Sequence, residues 1–367
     1  MSVKKMFQLL DNIIEMLKIK SISGNENAIR QIVQWVKNNF SKEGIFISEW
    51  NFDNASPVLL LSNCSGYNFD VLAIGHLDVV PAPDDMFLPK IDGGKLFARG
   101  SLDMKSSVAV CLDTLKYTVG KKIRFGVLIT TDEETTSNGM RNLQKSNIIK
   151  AKIVLDPDAG DLYNLVEKYK HPVSVELSAK GKSAHSSKPW QGENAVRKII
   201  SAINELEKYF PPLEQKPASD WVDTMVVTAL NSPTTYNVVP ASASARLNFR
   251  LTENTCLEKL EDILQNICAK TNCEYNILLS SQGVYMNADN PHIKQYLKIA
   301  ENIIGKKINI TTSCGATDSR MFADNSVIIM HGINGANMHA DDEFAKIESI
   351  LLLSKIQKSF IDSLIHL

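Results

Sequence analysis

The sequence has no paired-cysteine motif. Its six cysteines (Cys64, Cys111, Cys256, Cys268, Cys273 and Cys314) are scattered along 367 residues with no C-x-x-C among them. In a chain this long they read as reduced thiols, not a disulfide framework, so a cytoplasmic protein is expected. Excess charge is also missing. The 40 basic and 41 acidic residues leave a net charge of −1, and the Lys and Arg are spread along the chain. That removes the electrostatic case for nucleic acid or an anionic membrane as a partner. No stretch approaches the roughly 20 apolar residues of a membrane span. The segment Met1 to Lys20 is amphipathic, carries Lys within it and has no long apolar core, so no signal peptide is expected. There is no internal repeat and no low-complexity segment.

What is present is a 44% hydrophobic, 22% charged composition, that of a globular chain able to bury a full core, and its length predicts two compact lobes. Met6, Leu9, Leu10, Ile13, Ile14 and Leu17 recur at helical spacing and predict a helix over 3–18. Ser23-Gly24-Asn25-Glu26 has capping-box spacing ahead of a second helix at 26–40. Strand-like runs follow at 45–51, 57–62 and 70–75. Pro81, Pro83 and Pro89 then forbid regular structure, and Asp92-Gly93-Gly94 is turn chemistry. A helix at 106–118, a strand at 123–130, a short helix near 137–146 and a strand at 153–155 continue the alternation. That order predicts an α/β domain with a mixed, mainly parallel sheet covered by helices.

From about residue 170 the texture changes. Val173-Ser174-Val175-Glu176-Leu177 alternates as a half-exposed strand does. Helices at 193–209 and 255–271, a Pro-rich turn (Pro211, Pro212, Pro217) and strands near 224–230, 241–251 and 274–280 complete a self-contained α+β module. Helix 291–304, strands near 308–312 and 327–330, and helix 345–365 resume the first pattern. The module at 170–280 therefore looks inserted into a main domain made of 1–169 and 281–367.

The apolar run Val71-Leu72-Ala73-Ile74 ends in Gly75-His76-Leu77-Asp78. A His and an Asp two apart on extended backbone point to the same side. Asp78 can then hold one imidazole nitrogen and leave the other free for a metal. Alone, the pair is a weak signal. Asp103, Glu133, Glu134 and Asp158 also fall at strand ends or just after them, where the ligands of such sheets sit. A second His, His339, lies in Gly335-Ala336-Asn337-Met338-His339-Ala340-Asp341-Asp342-Glu343. Taken singly, Asp103 could be a helix cap, Glu133-Glu134 a solvated turn and His339 a loop residue; their common location argues for a site. Imidazole and carboxylate without thiolate suit Zn²⁺, Mn²⁺ or Co²⁺ better than copper or an iron–sulfur cluster. One shared carboxylate, with one His and one further carboxylate for each ion, makes a two-metal hydrolytic site with ions about 3.5–4 Å apart. Two divalent ions, three carboxylates and a hydroxide sum to zero charge, which avoids most of the desolvation penalty of isolated charge.

These stretches belong to a wider pattern. Gly75-His76-Leu77-Asp78-Val79-Val80, Ala98-Arg99-Gly100 through Asp103-Met104-Lys105, Asp132-Glu133-Glu134 and Gly181-Lys182-Ser183-Ala184-His185 are its first members. Asn237-Val238-Val239-Pro240, Gly315-Ala316-Thr317-Asp318 and Met338-His339-Ala340 follow. Over nearly its whole length the chain resembles the zinc aminoacylase and carboxypeptidase family that includes succinyl-diaminopimelate desuccinylase and acetylornithine deacetylase. The resemblance implies a zinc peptidase-like catalytic domain with helices on both faces of its sheet. It also implies an inserted ferredoxin-like lid that often serves as the dimer interface, hence a homodimer. Two Zn²⁺ per subunit are implied, with Co²⁺ or Mn²⁺ as substitutes. Asp103 would bridge them, His76 and Asp158 completing one ion, Glu134 and His339 the other. Asp78 would orient His76, Glu133 would be the general base on a shared water, and His185 would donate to the developing oxyanion. Asn237 and Arg250 would hold a substrate carboxylate, a contact that suits the guanidinium fork. A cis peptide is implied at Asp103-Met104.

The chain departs from the family at one ligand, where Glu-Pro is usual and Asp156-Pro157-Asp158 stands here. Aligning on the proline selects Asp156; counting back from the Lys180-Gly181 strand selects Asp158, taken here as the ligand with Asp156 as the alternative. The expected function is di-zinc-dependent hydrolysis of an amide bond in a small N-acyl amino acid or short peptide. Deacylases, dipeptidases and carboxypeptidases share these residues and differ in pocket loops, so the substrate class stays open. A non-catalytic binding protein on the same scaffold is the alternative of another class, and the presence of both Glu133 and His339 argues against it.

Overall fold

From Val71 to His76 every residue is buried, and so is every residue of Phe125–Thr130. Strands covered on both faces are characteristic of parallel sheets packed under helices. The computed structural model, which describes residues 3–213, 220–233 and 236–365, shows that arrangement. Asn68–His76 pairs in parallel with Phe125–Thr130 on one side and with Lys150–Asp156 on the other, and Val327–Met330 lies parallel beside Lys150–Asp156. Antiparallel strands flank this centre: Val58–Ser62 and then Phe46–Trp50 on one edge, Asn164–Tyr169 beyond Val327–Met330 on the other. The sheet is thus mixed with a parallel centre, as the alternation of strand and helix predicts. Because the four central strands run the same way, their carboxyl ends at His76, Thr130, Asp156 and Met330 share one edge of the sheet.

The helix Lys105–Thr118 is buried on nearly all sides, between the sheet and the helices Val3–Leu17 and Ile347–Ile365. Its close approach depends on Gly75. A Cβ there would stand 2.8 Å from both Met104 Cε and Val108 Cγ2, well inside contact distance. The missing side chain lets the segment that follows Asp103 lie against the strand that ends in His76. No described helix is long and apolar enough to cross a membrane.

The described chain falls into two units. One is built from residues up to Glu167, Met286–Thr311 and the stretch from Thr317 on; the other from Lys168–Tyr285 and Thr312–Ala316. In the second, the strands Thr224–Asn231, Ser242–Leu251, His171–Lys180 and Glu274–Ser280 form an antiparallel sheet in that order. Val173, Val175 and Leu177 alternate inward with Ala245, Leu247 and Phe249 against the helices Ala195–Leu206 and Leu257–Thr271. This is the α+β module expected from the alternating pattern, in the ferredoxin-like arrangement that the resemblance implies.

Some elements differ from the expectation. The turn chemistry of Asp92-Gly93-Gly94 closes a short hairpin, Lys90–Asp92 with Lys95–Phe97, which begins directly after Pro89, where no regular structure is expected, and pairs with Phe344–Lys346. Strands of three residues carry no readable period; this hairpin is held by distant partners, including the Phe97 and Phe344 rings at 5.3 Å. The strand Asn164–Tyr169 was not foreseen, and Lys150–Asp156 is longer than the expected 153–155 because exposed Lys150 and Lys152 break its apolar run. The Pro-rich turn at Pro211, Pro212 and Pro217 falls partly on 214–219, so Pro217 lies outside the described residues.

Candidate metal centre

His76 is the last residue of its strand, Glu133 and Glu134 follow Phe125–Thr130, and Asp158 follows Lys150–Asp156. Asp103 precedes the buried helix, and its peptide bond to Met104 is cis. His339 stands in the loop between Gly335–Ala336 and Phe344–Lys346 with a left-handed φ of 65°, a conformation that non-glycine residues rarely adopt outside special sites.

Asp103 stands between the two imidazoles. Its Oδ1 lies 3.0 Å from His76 Nε2 and its Oδ2 3.0 Å from His339 Nε2. Glu134 Oε2 is 3.2 Å from the same nitrogen of His339, and Asp158 Oδ1 is 3.7 Å from that of His76. Donor atoms of His76, Asp103 and Glu134 all fall within 4.8 Å of one another, as do those of His76, Glu133 and Asp158. All of these residues belong to the first unit.

The far side of His76 departs in detail from the expectation. Nδ1 is 2.9 Å from the Asp78 backbone carbonyl and 3.5 Å from its carboxylate, so the carbonyl is the nearer acceptor that leaves Nε2 free. The Asp78 carboxylate accepts from Ser23 Oγ at 2.7 Å and from the backbone N–H groups of Glu133 and Glu134, both at 3.2 Å. One buried acid thus adjoins His76 and anchors the turn that presents the two glutamates. Asp156, the alternative at the fourth position, is buried and engaged elsewhere. Its Oδ2 accepts from Thr317 Oγ1 at 2.5 Å and its Oδ1 from the Asp158 N–H at 3.0 Å.

Crowding of acids sets the electrostatics. Burial lifts the Glu133 carboxyl well above the ordinary glutamate range, and nearby Asp158 and Asp318 add to the lift. Burial likewise raises Asp158, and burial with the Asp103 charge raises Glu134. Burial opposes ionisation of Asp103, but hydrogen bonds from His339 and His76 hold its carboxyl below the usual range. The His339 imidazole is raised to about 9, chiefly by its hydrogen bond to Asp103. His76 is also raised well above its ordinary value: burial pushes it down, and Asp103 and Asp158 more than offset this. Carboxylates outnumber cations here, and Glu134 Oε1 is buried with no hydrogen-bond partner among the described residues. Acceptor oxygens with unmet capacity, gathered around two imidazole nitrogens, form a donor set suited to divalent cations.

The other candidate residues lie in the second unit. His185 is exposed, with Nδ1 2.8 Å from Ser187 Oγ. A bridge between His185 and Val238 and a bond from Ser186 N–H to the Asn237 carbonyl bring His185 and Asn237 into neighbouring backbone positions. Arg250 is half-buried on Ser242–Leu251, opposite Pro172 and Thr224.

Residues 72–363 match the profile of the Peptidase family M20/M25/M40. The chain belongs to this family. It is accordingly a hydrolase acting on amide bonds, and membership implies metal ions at a centre of this composition. Among its relatives is a succinyl-diaminopimelate desuccinylase of Wolbachia pipientis subsp. Culex pipiens (strain wPip). That protein is 27% identical over 316 residues, which are 78% of this chain and 77% of the relative. The fold is similar to that of an M20 family metallo-carboxypeptidase from Sulfolobus solfataricus, with a TM-score of 0.78, 21% identity and coverage of 98% of this chain and 100% of that one. It is also similar to that of a tripeptidase from Staphylococcus aureus subsp. aureus Mu50, with a TM-score of 0.75, 20% identity and coverage of 99% of each chain.

Proposed function

We propose that this M20-family hydrolase cleaves an amide bond in a small N-acyl amino acid or short peptide with the help of two zinc ions. The observation that carries the reading is the Asp103 carboxylate, which offers one oxygen to each of two imidazoles at 3.0 Å. A carboxylate so placed would bridge two ions, one held also by His76 and Asp158, the other by His339 and Glu134. Divalent ions bound there would acidify a water and polarise the scissile carbonyl. The chain's own task is proton handling. The lifted carboxyl of Glu133 is shifted in the direction a base working near neutral pH requires. In its ionised form Glu133 would take the proton of the attacking water and then return it to the leaving amine. His185 would donate to the developing oxyanion, and Asn237 and Arg250 would hold a substrate carboxylate; the family motifs around them support these roles. The desuccinylase relative supports an acylated amino acid as substrate, and the peptidases of like fold support a short peptide.

The test is hydrolysis of N-acetyl amino acids, N-succinyl diamino acids and dipeptides by chelator-stripped enzyme with zinc added back. Zinc-dependent turnover of one class is expected. Turnover that persists in full after stripping, or none by the zinc-loaded enzyme on all three classes, would reject the reading.

Residues 170–280 would serve as lid and homodimer contact to a catalytic domain of 1–169 and 281–367. On the edge strand Thr224–Asn231, Val226 is 56% and Leu230 50% exposed, an apolar edge of the kind that proteins cover by pairing. Sedimentation should therefore give twice the 40.8 kDa chain mass, and Val226→Lys with Leu230→Lys should return it to one. A wild-type monomer would refute the dimer. The six unpaired cysteines support a cytoplasmic location.

A further inference from the structure

We propose that Glu343 is a positioning residue that sets the Asp103 carboxylate between His76 and His339. The inference rests on the metal-centre reading above and adds to it a residue outside the ligand set.

Glu343 has no solvent exposure, and its carboxylate receives four donors. Oε1 accepts from the N–H groups of Leu102 at 2.8 Å and Asp103 at 3.2 Å. Oε2 accepts from the Gly100 N–H at 3.2 Å and from Arg99 Nη1 at 2.5 Å. Three backbone amides of the loop that ends in Asp103 thus converge on one side chain. Gly100, with φ 83°, supplies the left-handed turn that aims them there. Glu343 also belongs to the segment that carries His339, and its own carbonyl accepts from the Ala98 N–H at 3.3 Å. Next to it, Phe344–Lys346 pairs with Lys95–Phe97. One residue therefore ties the loop bearing one candidate ligand to the loop bearing another.

A buried ion pair is a poor device for stability alone, because desolvating both charges offsets most of their attraction. The way the donors are satisfied fits a geometric task better. The acid end is saturated, whereas Arg99 Nε and Nη2 are buried without partners among the described residues. What the network completes is the grip of the carboxylate on the Asp103 loop. Partners that orient a metal ligand typically affect metal affinity about 10–100-fold.

Zinc affinity of Glu343→Gln, measured by competition with a chromophoric chelator at a temperature where circular dichroism shows it folded, should fall about 10–100-fold. kcat should fall with it and KM should change little. Because the single variant leaves Arg99 buried and unpaired, the double variant Arg99→Met/Glu343→Gln is measured alongside. Removing both charges should recover melting temperature without recovering zinc affinity. Phe360→Leu, which thins the packing on Tyr296, provides a destabilised control whose zinc affinity should equal wild type. Zinc affinity unchanged in Glu343→Gln, or restored together with stability in the double variant, would overturn the positioning role while leaving the metal centre intact. A wild-type chain that binds no zinc would overturn the metal-centre reading itself, and this inference with it.

Discussion

Glu133→Gln should bind as much zinc as the wild type and lose about 10²–10⁴-fold in turnover, the usual contribution of a general base. The substitution keeps size and shape and removes only the capacity to hold a proton reversibly. The backbone there should stay in place, because the Glu133 N–H is held by the buried Asp78 carboxylate at 3.2 Å. Two arrangements compete at this residue. The proposed ligand set assigns Glu133 no ion, yet its carboxylate lies within 4.8 Å of donor atoms of His76 and Asp158, close enough for a shared ion. Zinc counting beside single-turnover kinetics separates them. Loss of a zinc ion would make Glu133 a ligand, and near-normal kcat would remove it from proton transfer altogether.

Asp158→Asn should lose one zinc ion and at least about 100-fold in activity, exceeding the effect of losing an outer partner. Asp156→Asn should keep both ions and lose stability instead. The reason is which way each side chain is engaged. Asp158 Oδ1 is 3.7 Å from His76 Nε2, whereas Asp156 is buried between Thr317 Oγ1 and the Asp158 N–H. Disturbing a buried hydrogen bond of that kind typically destabilises by about 1–3 kcal/mol, read as a lower melting temperature at unchanged zinc content. The opposite pattern, with zinc lost from the Asp156 variant and kept in the Asp158 variant, would exchange their roles.

Much of the candidate site was legible because its signals are local. An unbroken apolar run tells where a central strand ends, and in a parallel sheet those ends share an edge. His76, Glu133, Glu134 and Asp158 group on that ground alone, whereas Asp103 follows no central strand and precedes the buried helix; the structure gathers all five with His339. The alternation of Val173, Val175 and Leu177 likewise announced a half-covered antiparallel sheet before its partners were seen. Glu343 had no such signal. It lies in the same stretch as His339, but its carboxylate is addressed to amides some 240 residues earlier in the chain, and no spacing rule connects them. The Lys90–Asp92 and Lys95–Phe97 hairpin escaped for the same reason, since a three-residue strand exists only through its neighbours.

The amino-acid sequence by itself determined the family, the two kinds of sheet and the residue types at the strand ends, because apolar periodicity and turn chemistry act over a few residues. Tertiary structure alone decided that the Asp78 carbonyl is nearer than its carboxylate to His76, that Asp156 faces Thr317 and that each oxygen of Asp103 meets a different imidazole. Those choices turn on hydrogen bonds whose strength changes within a few tenths of an ångström. Only the packed chain brings residues from distant segments to that precision.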